Sequence, residues 1–557
     1  MPTSNVTGIS SGIDWNEMVS LMMKLERAPV DKLETRRSAF QTQLTDWGAI
    51  ESKLTALKSS SENMDTINEF LLRAGSSGDE DVLTVTARAN AHTGSHSVLV
   101  NQIATRHVQV HTAGWADLNS TPVNDSGVDQ SLSYEYAGEA FTIIVPDGTT
   151  LQSLINLINR DTDNPGVTAS VINDGQGGAT PYHLMLSGDD TGEENLIQII
   201  DTEDNPTDLG DGSQFDNAAW TVTQTAQNAE IRVDGFPDPE IGWPIPWIES
   251  ASNDVEDIIP GVTLHLKNTS AGEAIQVSVS LDKAAVETQV NSLINTYNDL
   301  LNTISAVSSY NTESETAGPL FGDSQIKAIK GRLSTIISNN IPGTQAGDTY
   351  RTLGQVGIKL TSGGKLSLNT KTLQDALDDD AMGVARLFAF DSSSSSGFVT
   401  VTSHSSKTQG GTYDFTVTYD ADGHLDPEGV NTLNGQNATV HGESLLEGAA
   451  GDATEGLLMI LTNPGNGPSS LSGTINVYTG FGVLLSNAIT DLTDTTEGGL
   501  KMTRDRINSS IKMLDNRIER LEDRLTTIED NYKRRFSNME ILLGQLQTQG
   551  SYLDSIG

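Results

Sequence analysis

The 557-residue chain contains no cysteine. That excludes disulfide staples, thiolate zinc sites and cysteine nucleophiles. Positive charge is scarce, with 33 Lys and Arg against 74 Asp and Glu and a net charge of −41. No stretch approaches the roughly 20 apolar residues of a membrane span, so no membrane insertion is expected. Met18 to Met23, preceded by Asp14 and Glu17, is too short and too interrupted for a secretory core, and the expectation is a soluble protein without an ordinary cleaved signal. The sequence has no P-loop, no Gly-x-Ser-x-Gly elbow and no zinc-protease helix, which argues against an enzyme and gives no reason to expect a cofactor.

The charge is unevenly placed. Residues 1–58 hold seven basic and seven acidic side chains, and residues 501–557 hold ten and nine. The middle is left with 16 basic and 58 acidic residues. Such a field repels phosphate backbones and anionic membranes, so nucleic acid is not an expected partner. The plain reading is a highly solvated surface, suited to salty surroundings. At this length several cores are required, because single cores stop growing near about 250–300 residues.

Both ends read as long amphipathic helices. From Ile507 the apolar residues continue at Ile511, Leu514, Ile518, Leu521, Leu525 and Ile528, alternating steps of four and three, which is a heptad seam. Two consecutive fours, to Tyr532 and Phe536, form a stutter before Met539, Leu543 and Leu546. At the front, Asp14 reads as an N-cap with Glu17 three residues on, and a helix should run to about Ala28, where Pro29 forces a break or kink. Beyond it Leu33, Phe40, Trp47 and Leu54 repeat at seven, with Leu44, Ile50 and Leu57 widening the stripe. Periodicity alone leaves open whether these seams close an internal bundle or bind other molecules.

Between the ends the texture is strand-like. Glycine followed by a period-2 run recurs at Gly94, Gly138, Gly272, Gly411 and Gly473, which predicts turn-then-strand pieces of antiparallel sheets. TLQSLINLINR, ending at Arg160, predicts one amphipathic helix on such a sheet. From Ala284 the period is helical, with Val286, Val290, Leu293, Ile294, Tyr297, Leu300, Leu301 and Ile304 on one face, and a second helix is expected around Ile326–Ile337. The tract Ser392–Gly397 reads as a flexible linker that opens a further β segment closing near Tyr478. Helical pieces at 284–390 and 484–500 are expected to join the terminal helices in one stalk.

Several of these stretches resemble one family. SGIDWNEMVSLMMKLERAPVDKLETRRSAF at Ser11–Phe40 resembles the start of the bacterial flagellar filament capping proteins, the hook-associated protein 2 family. RIERLEDRLTTIEDNYKRRFSNMEILLGQLQTQGSYL at Arg517–Leu553 is similar to that family's carboxy-terminal signature. Between them GTTLQSLINLINRDTDNPGVTASVI, NDVEDIIPGVTLHL, INTYNDLLNTI, GIKLTSGGKLSLNTKTLQDAL and GGLKMTRDRINSSI agree in order. Regions 110–135 and 200–250 carry no family pattern and read as variable loops.

The resemblance implies a structural cap at the distal tip of the filament, outside the cell, reached through the flagellar type III export channel. Its implied partners are further copies of itself in a ring, commonly of five, flagellin, the hook–filament junction protein and an export chaperone. It implies an α+β multidomain fold, with terminal α-helical coiled-coil legs and a helical stalk carrying antiparallel β-rich head domains. The expected division is a flexible leg helix (1–48), a stalk helix (49–78), a β head domain in two parts (79–112 and 226–283) with an outer insertion (113–225), a helical stalk domain (284–390), an additional β domain (391–482) and a carboxy-terminal helix and leg (483–557). If the seams are only partly satisfied within one subunit, the residues expected to touch the filament or another copy are Leu25, Leu33, Phe40 and Trp47 at the front, with Ile518, Leu521, Leu525, Ile528, Phe536, Leu543 and Leu546 at the back.

Two other classes compete. Another axial protein, such as a junction protein, would share helical, exportable ends but not the SGIDWNEMVSLMMKLERAP start. A secreted adhesin finds its support in FPDPEIGWPIPWIES at Phe236–Ser250, where Trp243 and Trp247 sit among four prolines in a loop suited to presenting aromatics to a glycan. The bland alternative, aromatics tucked against their own domain, is favoured. His92/His96 and His107/His111 have four-residue spacing without a third ligand, so a metal site is not expected. Asp161, Asp163 and Gly166 imitate half a calcium loop, but Pro165 and Ile172 stand where ligands belong, and the stretch reads as a turn.

Overall fold

The structure is a computed structural model that describes residues 12, 14–200, 219–463, 465 and 469–554. The expected loop character of 201–218 lies outside the described residues. Eight helices are seen among them: α1 Trp15–Glu62, α2 Ile67–Phe70, α3 Leu151–Arg160, α4 Lys283–Ser308, α5 Ser324–Ser338, α6 Thr370–Arg386, α7 Phe481–Thr493 and α8 Gly499–Asp554. The chain divides into two compact units, residues 71–282 and the remainder.

Unit 71–282 is built from antiparallel sheets around two cores. In the first, strands Arg73–Ser77, Ile275–Leu281, Gly94–Gln102, Ala229–Val233 and Ile248–Ser250 lie side by side in that order. With the three-stranded sheet Asp254–Glu256, Val262–Leu266, Leu83–Ala87 they enclose Leu83, Val98, Val100, Ile231, Leu264 and Val277. In the second, the sheet Trp220–Gln224, Arg106–His111, Tyr182–Thr191, Val167–Asn173 shares its core with α3 and the hairpin Gln130–Tyr136/Glu139–Val145. Helix α3 begins where Thr150 accepts the Ser153 amide and buries Leu151, Leu154, Ile155 and Ile158, so the TLQSLINLINR stretch packs as its stripe requires.

The other unit joins seven helices to a β-sandwich. Helix α4 buries Val286, Val290, Leu293, Ile294, Tyr297, Leu300, Leu301 and Ile304, the face read from the sequence, and α5 buries Ile326, Ile329, Leu333 and Ile337 behind an Asp323 cap. In the sandwich, strands Phe390–Ser394, Ser469–Thr479, Gly411–Tyr419, Thr432–Leu433 and Gln436–Asn437 form one sheet. Strands Val399–Ser403, Leu458–Leu461, Leu445–Glu447 and Thr439–His441 form the other, and Phe415, Val417, Leu446, Met459, Ile475 and Val477 fill the layer between them.

Three expectations are corrected. Regions 110–135 and 219–250 are not simply loops, because Gln130–Tyr136, Trp220–Gln224, Ala229–Val233 and Ile248–Ser250 are strands paired into the sheets of unit 71–282. The Ser392 tract is not a free linker, because Ser392, Ser393 and Ser394 pair with Val477, Asn476 and Ile475 as an outer strand. Small polar residues suit a strand whose long neighbour supplies the ladder; composition alone cannot reveal that neighbour. Nor does the first helix stop before Pro29, since α1 passes through it as one 48-residue helix. An interior proline costs about 3 kcal/mol. Here the ring is exposed, where water can take the freed carbonyl, and Val19 and Val30 are anchored on either side.

Between α1 and α2 lies a half-buried carboxyl group, Asp65, whose carbonyl accepts the Phe390 amide at 2.7 Å. Burial, then a hydrogen bond and charge from Glu69, then the charge of Glu62, push its pKa up from 3.8 to about 6. A raised folded-state pKa means that this corner is most stable below pH 4 and loses stability as pH rises through 6. Allowing for partial exposure, the loss is of order 1 kcal/mol. Asp65→Asn is therefore expected to flatten the stability profile between pH 4 and 7 and to raise the urea midpoint at pH 8. An unchanged profile in urea titrations across that range would show that Asp65 ionises freely.

Candidate functional site: the paired terminal helices

Helix α1 starts at Asp14, whose carboxylate accepts the Asn16 and Glu17 amides at 3.0 and 3.1 Å. It runs against α8 in opposite directions. Trp15 stacks on Phe536 with ring centroids 4.9 Å apart and donates its indole N–H to Glu540 at 2.7 Å. Arg27 reaches Glu522 at 3.5 Å, Arg37 reaches Asp515 at 3.3 Å and Arg504 reaches Glu51 at 2.7 Å. As one number rises the other falls, which is an antiparallel register held over more than five turns of each helix. These ion pairs are exposed and worth at most about 1 kcal/mol each, so they fix register more than they stabilise.

The stabilisation comes from the apolar seam. Val30 is fully buried between Ile518 and Leu525, with Met23, Leu33 and Leu521 around them. Trp15, Val19 and Phe536 form a second cluster with Met18, Met23, Tyr532 and Leu543. On α8 the buried positions are Leu500, Thr503, Ile507, Leu514, Ile518, Leu525 and Phe536. The step of eleven from Leu525 to Phe536 is the stutter, and it keeps Phe536 on the face that meets α1. Further along α1, Trp47, Ile50, Leu54 and Leu57 are buried in the helical core. Burial raises the pKa of the neighbouring Asp46 carboxyl.

The structure divides the eleven residues singled out from the seams. Trp47, Ile518, Leu525 and Phe536 are buried within the chain. Leu33, Phe40, Leu521, Ile528 and Leu543 are half-buried. Leu25 and Leu546 are bare, 79 % and 61 % exposed. They have exposed company: Leu21 and Met22 beside Leu25, and Ile541, Leu542 and Leu553 near Leu546, which sequence reading passed over, together with Met539, which it placed on the seam. Leu21 and Leu25 are one turn apart, and Met539, Leu542, Leu546 and Leu553 follow steps of three, four and seven. That spacing describes a second stripe beside the buried seam, and it was available in the sequence. Trp15, Val19 and Val30, which carry the pairing, were likewise not singled out.

The remaining candidates have structural roles. His107 is buried, accepts the Ile197 amide through Nδ1 and has its pKa lowered by burial. His96 contacts Asp234 at 2.7 Å, and no cluster of three potential metal ligands exists among the described residues. The Asp161 carboxylate accepts the Asp163 amide at 3.0 Å, which is a turn. Trp243 is 47 % exposed, whereas Trp247 is half-covered, with the Arg232 guanidinium 4.1 Å from its ring centre. The two indoles therefore do not form one open aromatic platform. No described helix is long and apolar enough to cross a membrane.

Comparison with known proteins bears on what the helix pair is for. Residues 226–548 match the pattern of the flagellar hook-associated protein 2 C-terminus, residues 11–107 that of its N-terminus, and residues 126–190 the flagellin hook IN motif. The chain is 28 % identical over 409 residues to the B-type flagellar hook-associated protein 2 of Pseudomonas aeruginosa, covering 69 % of this chain and 81 % of the relative. It is 25 % identical over 404 residues to the flagellar hook-associated protein 2 of Escherichia coli K12, covering 70 % and 81 %. The fold is similar to the crystal structure of the D1-D2-D3 domains of the Escherichia coli flagellar cap protein, with a TM-score of 0.51 at 22 % identity over 83 % of this chain and 99 % of that one. With its terminal helices paired and its β domains lying between them in the sequence, the chain belongs to the flagellar hook-associated protein 2 family, the structural, non-enzymatic caps of the bacterial flagellar filament.

Proposed function

We propose that the chain works as a ring of identical copies at the filament tip, where it retains exported flagellin and guides each subunit into place through the terminal helices. The observation that carries this reading is the division of the apolar residues. One stripe closes α1 on α8, and a second, around Leu21, Leu25, Leu542 and Leu546, stays open to solvent. Exposed leucines at helical spacing are the anchors by which one helix is read by another. Their neighbourhood is close to neutral in charge, so contact is not opposed by the 58 acidic residues of the middle. On this reading residues 1–48 and the end of α8 serve as legs, 49–78 and 284–390 as the stalk, 79–112 and 226–283 as a head with 113–225 as its outer insertion, and 391–482 as a further β domain.

The test separates docking from folding. Leu25→Glu with Leu546→Glu changes only exposed positions, so the melting temperature is expected to stay within about a degree of wild type. Restored to a strain that lacks the chain, the double variant is expected to leave filaments shortened and flagellin released into the medium, read by microscopy and by blotting the supernatant. Filaments of normal length and number would overturn the assignment of the bare stripe.

A further inference from the structure

Unit 71–282 carries a loop, residues 234–247, with two rings that are left out of its cores. Phe236 and Trp243 are 42 % and 47 % exposed, and their ring centroids lie 4.6 Å apart with the planes at 83°. Edge-to-face packing at this exposure leaves ring surface bare on both, and the bare faces meet at nearly a right angle. The result is a notch open to solvent. The backbone holds its walls: Val233 and Phe236 exchange both amide–carbonyl hydrogen bonds at 2.9 Å, and the Trp243 amide donates to the Asp238 carbonyl at 3.3 Å. Walls formed in advance spare an occupant the cost of ordering them.

Charge decides what suits the notch. The face of an aromatic ring is the negative end of its quadrupole and attracts a cation. Asp238 and Glu240 lie on the short segment that joins the two rings, where the Asp238 carboxylate accepts the Glu240 amide at 3.0 Å. Residues 230–250 hold five acidic side chains and one basic, Arg232. Arg232 is already engaged, with its guanidinium 4.1 Å from the centre of the Trp247 ring and its Nε donating to the Pro246 carbonyl at 2.9 Å. The loop thus supplies one indole with a cation from its own chain, while among the described residues no cation lies over Trp243 or Phe236. An anion is repelled by the carboxylates. A pyranose stacks on one broad flat face, which two rings at 83° do not offer. A small metal ion or a primary ammonium keeps its water in so open a notch. A quaternary ammonium is weakly hydrated, has no N–H to satisfy and turns methyl groups towards both rings.

We propose that the notch between Phe236 and Trp243 binds a trimethylammonium group, as carried by free choline or by the choline headgroup of a lipid. Both sources offer the same cation to the rings and to Asp238 and Glu240. They differ in what lies beyond it. Ile241 and Ile245, 72 % and 51 % exposed in the same loop, have nothing to gain from free choline and are covered if the loop rests on a lipid surface. The assignment does not rest on the capping function, and its failure would leave that function untouched.

The test uses the full-length protein and saturation-transfer NMR on the N-methyl signal of choline, beside its neutral isostere in which a tert-butyl group replaces trimethylammonium. Choline is expected to bind with a dissociation constant of about 1–10 mM, the range open to a cation on two exposed rings, and the isostere at least about tenfold more weakly. Trp243→Leu keeps an apolar side chain without the π face, and Asp238→Asn with Glu240→Gln keeps both rings without the charge. Each should weaken choline at least about fivefold at an unchanged melting temperature. Co-sedimentation with vesicles separates the sources. Retention on phosphatidylcholine and not on phosphatidylglycerol, lost in Trp243→Leu, assigns the site to the headgroup; retention on neither, with choline bound, assigns it to the free cation. Equal binding of choline and its isostere, binding indifferent to Trp243→Leu, equal retention on both lipids, or no binding of choline or phosphatidylcholine overturns the proposal.

Discussion

A bacterium deprived of this chain is expected to release flagellin as monomer into its medium and to build no filaments of normal length. The effect should be near total if, as proposed, the cap acts on every subunit that arrives. Adding back a chain that lacks residues 1–40 should give the same result for a reason visible in the structure. The deletion takes Trp15, Val19 and Val30 away from α8 and bares Ile518, Leu525 and Phe536, each worth roughly 1.5–3 kcal/mol when buried. It also removes the bare pair Leu21 and Leu25. Blotting the medium for both proteins separates the outcomes: flagellin in the supernatant beside truncated chain that has itself left the cell is the expected result. Filaments of normal length from either strain would refute the capping role of the terminal helices.

Much of the fold could be read from the sequence where periodicity and packing demand the same thing. All eight residues assigned to the inner face of α4 are buried, and α3 lies on its sheet as its stripe requires. The glycine-led runs at Gly94, Gly138, Gly272, Gly411 and Gly473 all lead into or lie within strands. Pro29 misled because local chemistry speaks only for the local cost, whereas the helix is carried across it by contacts with residues about 490 positions away. The serine tract misled for the same reason, since its partner strand lies some 80 residues on.

The site was half legible. A heptad seam tells which residues face a neighbouring helix, but not whether that helix belongs to the same chain. Ile518, Leu525 and Phe536 therefore looked like Leu546, although the first three are buried against α1 and the last is open. The distinction becomes readable only when two stripes on one helix are counted separately. Antiparallel closure uses one stripe, and the surplus leucines and methionines, costly to leave in water, then need another purpose.

Val30→Asp is expected to separate the two helices with the largest loss of stability of any single substitution in the pair. Val30 has no exposed surface and sits between Ile518 and Leu525, with Met23, Leu33 and Leu521 completing the apolar cluster. A carboxylate placed there is either ionised among apolar side chains or binds a proton, and both routes cost several kcal/mol. Val30→Ala, which removes only two methyl groups, should cost about 1.5–2 kcal/mol and serves as the measure of simple cavity formation. Hydrogen exchange should show the difference in place. In Val30→Asp the amides of Trp15–Arg37 and Asp515–Glu540 should lose protection, while those of α4 and of the sandwich keep theirs, because their cores do not include Val30. Filament assembly should fall with it, since the bare leucines on either side keep their spacing only while α1 and α8 stay in register. If protection is lost and filaments are still built normally, the pairing of α1 with α8 is dispensable at the tip. The exposed stripe would then have to act from separate helices.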